Sequence, residues 1–166
     1  VLSASAVLYG DEKDLGVFAL AQVVNDLATR GAKTVGASVH IMLPPYAYES
    51  RLKSMVEYVE RAGSAHAIQV VCAKAEVSPV IQKAIVYVNG MGVLKKGELL
   101  QSSMGKADQD IVLLKWVGLE GTFRVMREQE EALAKRFVPT FLNQIRSLEP
   151  QIFSDEELEM AKEFGV

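Results

Sequence analysis

The chain is poor in the residues that would make its chemistry obvious. It has one cysteine, Cys72, so no internal disulfide can form, and a reducing cytoplasm is the expected setting. It has two histidines, His40 in a strand-like run and His66 in a loop-like one, neither with a Cys or His at metal-ligand spacing. No apolar run approaches the roughly 20 residues that span a bilayer, so no membrane partner is expected. No basic leader precedes the short apolar run opened by Val1, so no signal peptide is expected. The net charge of −3 provides no basic field for phosphates, and Lys95-Lys96 is too short to make a patch, so no nucleic-acid partner is expected. Nucleophile-elbow, P-loop and dinucleotide fingerprints are missing, as are internal repeats and low-complexity stretches.

What is present is ordinary globular material. Apolar residues make up 49% of 166 residues and charged residues 23%, enough for one domain with a real core. Val1–Tyr9 reads as a strand ended by Gly10-Asp11. Between Leu15 and Arg30, apolar residues Val17, Leu20, Ala21, Val24, Leu27 and Ala28 recur at helical spacing, with Gly31 as a stop. Thr34–Leu43 is strand-like and closes on Pro44-Pro45. A second helix follows, with Leu52, Met55, Val56 and Val59 on one stripe and Gly63 at its end.

Ile68–Val77 and Ile81–Leu94 are strand-like, and Gly90 and Gly92 suggest a bulge in the latter. Asp110–Val117 is a further strand by composition. Beyond Glu120 the chain turns charged and helical, divided by Pro139 and Pro150 into helices of about 10–15 residues. Ser154 and Glu157 form a capping box before the last helix. The order predicts an α+β fold with two helices packed on a mixed sheet and a helical C-terminal tail. A sheet of this kind must pair or hide its edges, which hints at self-association through it.

Candidate site residues are few. Asp26 lies opposite the apolar stripe of the first helix, beside Asn25; a solvated flank and a magnesium-directed carboxylate both fit that position. Glu76 follows an apolar run; a strand-end carboxylate there can meet a metal or a substrate, although loop carboxylates are usually just solvated. Gly118 and Gly121 flank a turn before a helix, whose amides can receive an anion. Cys72 in its apolar run reads as a small buried hydrophobe.

Three segments together resemble the AIR (aminoimidazole ribonucleotide) synthase-related family, which includes the hydrogenase-maturation protein HypE, selenophosphate synthetase and thiamine-monophosphate kinase. Asp14-Leu15-Gly16 running to Val24-Asn25-Asp26-Leu27-Ala28 and Arg30-Gly31-Ala32 is similar to the family's Asn-Asp-(Ile/Leu)-Ala helix. Glu76-Val77-Ser78-Pro79 is similar to the end of its Gly-Gly-His-Thr-Glu-Val-(Ser/Thr)-Pro loop. Lys115–Thr122 is close to the segment leading out of the first domain.

The resemblance covers residues 4–125 in order. It implies a fold of the PurM amino-terminal type over residues 1–125, with 126–166 leading to a second domain after Phe164-Gly165-Val166. It also implies a homodimer in which two sheets pair into a barrel, with ATP and magnesium held near the interface. Asp26 and Glu76 are the metal positions it carries over, and Asn25, Lys74, Gly118 and Gly121 join them around the nucleotide or a small metabolite. Two departures imply a partly degenerate site. The family's early-strand Asp falls on Ala6, and its Gly-Gly-His-Thr becomes Cys72-Ala73-Lys74-Ala75. Both an ATP-dependent enzyme half and a non-catalytic dimerisation or metabolite-binding module remain open.

Overall fold

A computed structural model describes residues 1–101 and 105–163. Phe164-Gly165-Val166, after which the resemblance places a second domain, lie outside them. Four strands, β1 (Leu2–Gly10), β2 (Lys33–Leu43), β3 (Gln69–Val77) and β4 (Ala84–Val93), form one mixed sheet in the order β1-β4-β2-β3. β4 runs antiparallel to both β1 and β2, whereas β2 and β3 are parallel and joined through a helix, as a parallel pair requires. The helices are α1 (Leu15–Ala28) and α2 (Glu49–Ala65), then the tail helices α3 (Leu119–Glu128), α4 (Glu130–Ala134), α5 (Pro139–Arg146) and α6 (Asp155–Glu163). A 3₁₀ turn at Glu149–Ile152 precedes α6. Both the α+β class and the mixed sheet agree with the sequence reading.

α1 is buried nearly all round, from Leu15 through Phe18, Leu20 and Val23 to Leu27, as expected of a helix with apolar residues on several faces. One side packs on the sheet. On the other lie Phe123, Met126, Leu142, Ile152 and Phe153 of the tail, all part of the same core. The rings of Phe18 and Phe123 meet at 6.4 Å. The tail therefore packs on the domain, and α3 runs through residues 125 and 126, where the sequence suggested a change of segment.

Small residues let α1 come close to the sheet. Register places Ala4, Gly90 and Ala37 side by side across three strands. A Cβ on Gly90 would stand 2.3 Å from a Val23 methyl. This corrects the expected bulge in β4, which runs unbroken past both glycines. The register shifts instead fall at Val35 of β2, against β4, and at Val71 of β3, against Ala37 and Ser38. Gly31, at φ +76°, ends α1 as expected.

Three other expectations fail. Asp110–Val117 is not a strand, because no ladder partner exists for it among the described residues. The tail helices span 5–10 residues, shorter than their prolines suggested. The capping box does not form among the described residues: the N–H of Ser154 goes to Asn25, and Glu157 turns to Lys115 at 3.0 Å.

Alternation gives the sheet two faces. Ala6, Leu8, Val39, Ile41, Val86 and Val88 point to the helices. The other face carries Val7, Tyr9, Met91 and Val93 at 41–66% exposure, with His40, Met42 and the polar side of β3, and no described element covers it. Cys72 is exposed on that side rather than buried, because β3 is an edge strand and its pairing with Ser38 turns it outward.

Candidate functional site

Asn25 and Asp26 are sequence neighbours on α1 with opposite surroundings. The carboxamide of Asn25 donates to the carbonyl of Ile152 and accepts the N–H of Ser154, both at 2.8 Å, so the docked tail uses both ends of it. The carboxylate of Asp26 is exposed and has no hydrogen bond or ion pair among the described residues; only its backbone carbonyl is engaged, by the hydroxyl of Thr29. Asp26 lines a groove of about 960 Å³ along the free edge of β1, shared with Ser3, Ser5, Arg30 and Lys106. That size suits a small-molecule ligand. Sequence reading missed these four companions: two are serines on a strand edge, and two are cations distant in sequence. Ala6, next to Ser5, is only 8% exposed and faces the helices, opposite Val88 in the ladder.

Lys74 and Glu76 are brought together elsewhere. Parallel register sets Lys74 beside His40 and Glu76 beside Met42. The Lys74 ammonium lies 2.9 Å from Glu76, and His40 Nε2 lies 3.3 Å from its other oxygen. The hydrogen bond from Lys74 holds the Glu76 carboxyl below the usual carboxylate value, outweighing the opposing effect of desolvation; the charges of Lys74 and His40 add to it. Lys74 and Glu76 sit on the uncovered face of β3, the edge strand opposite β1, with His40 beside them on β2. Within one chain, Asp26 and Glu76 therefore share neither a groove nor a face.

Gly118, at φ +74°, begins α3, and its carbonyl accepts the N–H and the hydroxyl of Thr122. Gly121 lies in the first turn. Neither glycine lines the Asp26 groove, and nothing crowds them within 4 Å. The acidic residue of that turn, Glu120, accepts two hydrogen bonds from Gln22 of α1 at 2.9 and 3.1 Å, tying α3 to the core.

The fit to metal and nucleotide is partial. Magnesium is usually held by one or two carboxylates together with phosphate oxygens and water, and Asp26, free of other partners, can supply one. No group of three His, Cys, Asp or Glu that could cage an ion exists among the described residues. Residues Cys72–Ala75 pair with β2 along one side of the edge strand β3, so their backbone is extended rather than looped. No helix of the described residues is long and apolar enough to cross a membrane.

A four-stranded mixed sheet with helices on one face and a groove of mixed polarity along its β1 edge makes a small α+β domain. The chain belongs to the family described as AIR synthase related protein, N-terminal domain, which matches residues 2–94, just over half its length. Solved structures share the fold. HypE in complex with ATP superposes with a TM-score of 0.53 at 18% identity, over 61% of this chain and 33% of that one. HypE from the HypE–HypF complex gives 0.50 at 20% identity, over 57% and 33%. Thiamine monophosphate kinase from Aquifex aeolicus gives 0.49 at 21% identity, over 55% and 33%. The chain thus spans about a third of the length of these structures. No curated protein sequence matches it.

Proposed function

We propose that this chain is the amino-terminal domain of an ATP-dependent AIR synthase-related protein, akin to HypE, with a partly degenerate magnesium–nucleotide site. The observation that carries the reading is the carboxylate of Asp26: exposed, unpaired and set in a groove with Arg30, Lys106 and two serines. A carboxylate free of protein partners is available to a hydrated magnesium ion, and the two cations suit phosphate oxygens. Bound ATP and magnesium would supply phosphoryl transfer; the chain's own part is to orient the nucleotide and balance its charge. Asn25, held by the tail, serves the site by fixing α1 rather than by touching ligand. Degeneracy follows from Ala6 and from Cys72–Ala75, which remove a carboxylate and the phosphate-facing glycines that the resemblance implies.

The uncovered sheet face supports a homodimer of barrel-like form, and the lone cysteine supports a reducing, cytoplasmic setting. Lys74 and Glu76 lie on that face, so they reach a groove containing Asp26 only if a second copy contributes one of the two walls. Gly118 and Gly121 remain candidate anion contacts at the start of α3. The apolar face also favours a second reading, a non-catalytic dimerisation or metabolite-binding module.

Calorimetric titration of ATP, with and without magnesium, into the chain and into Asp26→Ala separates the two. Magnesium-dependent binding that disappears in the variant supports the nucleotide site. A folded, dimeric chain that binds no ATP leaves the dimerisation module as the function.

A further inference from the structure

A second cavity, of about 790 Å³, opens where the C-terminal ends of α1 and α2 meet the start of β2 beside α6. Its floor is apolar: Val24, Ala32 and Ile68 are all buried. Among them stands Thr34, 8% exposed, whose side-chain hydroxyl is buried and has no hydrogen-bond partner among the described residues. Such a group costs stability unless something pairs with it. Ala28 and Leu158 also line the Asp26 groove, so the two cavities share a wall but none of their polar residues.

α6 forms one wall and is fixed at both ends. At its start, Asp155 pairs with His66 Nδ1 at 3.1 Å, and the His66 ring stacks on Phe153 with centroids 3.9 Å apart. Near its end, Lys162 donates to the Gly31 carbonyl and to Glu98. The cavity is therefore preformed, and its size is that of small-molecule sites.

Its charge is lopsided. Five carboxylates line the cavity against three ammonium groups. Two of the three, Lys95 and Lys162, already face Glu98, and Lys33 is exposed next to Thr34 in sequence. Glu156, Glu159 and Glu163, at helical spacing, share the face of α6 toward the cavity and have no ion pair among the described residues. Glu156 also suits the N-terminus of α6, but Glu159 and Glu163 lie beyond its first turn. α1 and α2 both end here without a basic residue in the last turn, so the negative ends of two helices add to the field. No group of three His, Cys, Asp or Glu among the described residues could cage a metal ion. The apolar floor calls instead for a cation that brings its own apolar body. We infer that this cavity binds a small organic amine, its ammonium among Glu156, Glu159 and Glu163, its body over Val24 and Ile68, and a second polar group on the Thr34 hydroxyl.

Amide NMR titrations of the chain test this with tyramine, which has an ammonium, an aromatic body and a hydroxyl at the far end. Phenethylamine lacks the hydroxyl, and hydroxyphenylpropionate carries a carboxylate in place of the ammonium. Tyramine should shift the amides of Thr34, Ile68 and Glu159 saturably below about 10 mM, with the acid bound at least about ten-fold more weakly. Thr34→Val keeps nearly the same volume and removes the orphaned hydroxyl, so folding is preserved. It should weaken tyramine about five-fold, as expected for one hydrogen bond, and leave phenethylamine unchanged. Glu156→Gln together with Glu159→Gln, on an exposed helix face, should weaken both amines alike. Equal affinity for the acid, a Thr34→Val chain that still prefers tyramine, or amines indifferent to the two glutamines overturns the inference. Shifts centred on Ser3 and Ser5 overturn it too, by assigning the amine to the Asp26 groove, as does the absence of any saturable shift.

Discussion

Asn25 of α1 holds Ser154 of the tail: its side-chain oxygen accepts the Ser154 N–H at 2.8 Å, while its amide donates to Ile152 across 127 residues of sequence. Both backbone groups belong to the turn that leads into α6, so a single side chain closes the tail over the helix. Ile152 and Phe153, the residues they bracket, are buried against α1.

Asn25→Ala leaves a part-buried N–H and C=O without partners. A loss of roughly 2 kcal/mol is expected, since orphaned buried polar groups typically cost about 1–3 kcal/mol each and partial exposure softens that. The change should appear in urea unfolding, and limited proteolysis should cut first between residues 147 and 155. Asn25→Asp keeps the acceptor and loses the donor, so it should fall between Ala and the parent. Unchanged stability in both variants rules out the clamp.

Gly90→Ala tests the close approach of α1. The added methyl would meet Val23 Cγ1 at 2.3 Å, in a row where Ala4 and Ala37 leave no slack. Overpacking of this kind costs about 1–3 kcal/mol. Val23→Ala in the same chain should recover part of the loss, a coupling that thermal unfolding of the double-mutant cycle measures. Additive losses would show that strand flexibility, not contact with the helix, explains the glycine.

The strands and helices of the first 94 residues were legible because their periodicities are local: α1 repeats at helical spacing, and β1 and β2 alternate. Asp110–Val117 has an equally good strand pattern and forms none, since a ladder needs a partner that local sequence does not contain. Cys72 misled for a related reason, because an apolar run does not say which strand lies at the edge. The exposure of Asp26 was legible from its place on the helical wheel. The surroundings of Asn25, Arg30 and Lys106 were not, because they depend on how the tail and the loop after β4 fold back. Pairing of Glu76 with Lys74 and His40 likewise depends on the β2–β3 register.

Acid should loosen α6. Glu98 accepts from the Lys162 ammonium at 2.6 Å, and this hydrogen bond holds its carboxyl below its ordinary value of 4.5 against the opposing pull of desolvation. Lys162 also donates to the Gly31 carbonyl at 3.2 Å, so the pair joins α6 to the end of α1. A carboxyl depressed in the folded state stabilises above its unfolded pKa, and the effect is lost as pH falls from about 4.5 through the lowered folded value. NMR titration should give Glu98 a midpoint below 4.5 that moves back toward it in Lys162→Ala. Amides of α6 should lose protection over the same window. A midpoint indifferent to Lys162 refutes the assignment.

The uncovered sheet face yields the last expectation. Val7 and Tyr9 on β1 and Met91 and Val93 on β4 place four large apolar side chains on neighbouring strands, each between 41% and 66% exposed. In the proposed homodimer a second copy would remove this surface from water, whereas the isolated chain derives little stability from it. Val7→Lys should therefore convert a dimer to a monomer in light scattering while changing thermal stability of the monomer by no more than about 0.5 kcal/mol, the usual range for surface substitutions. Asp26→Ala, on the other side of the β1 edge, should leave the oligomeric state unchanged. If ATP binding is lost in Val7→Lys although Asp26 is intact, the nucleotide groove depends on a wall from the second copy. If binding persists in the monomer, each chain carries a complete groove of its own, and Lys74 and Glu76 belong to the interface alone.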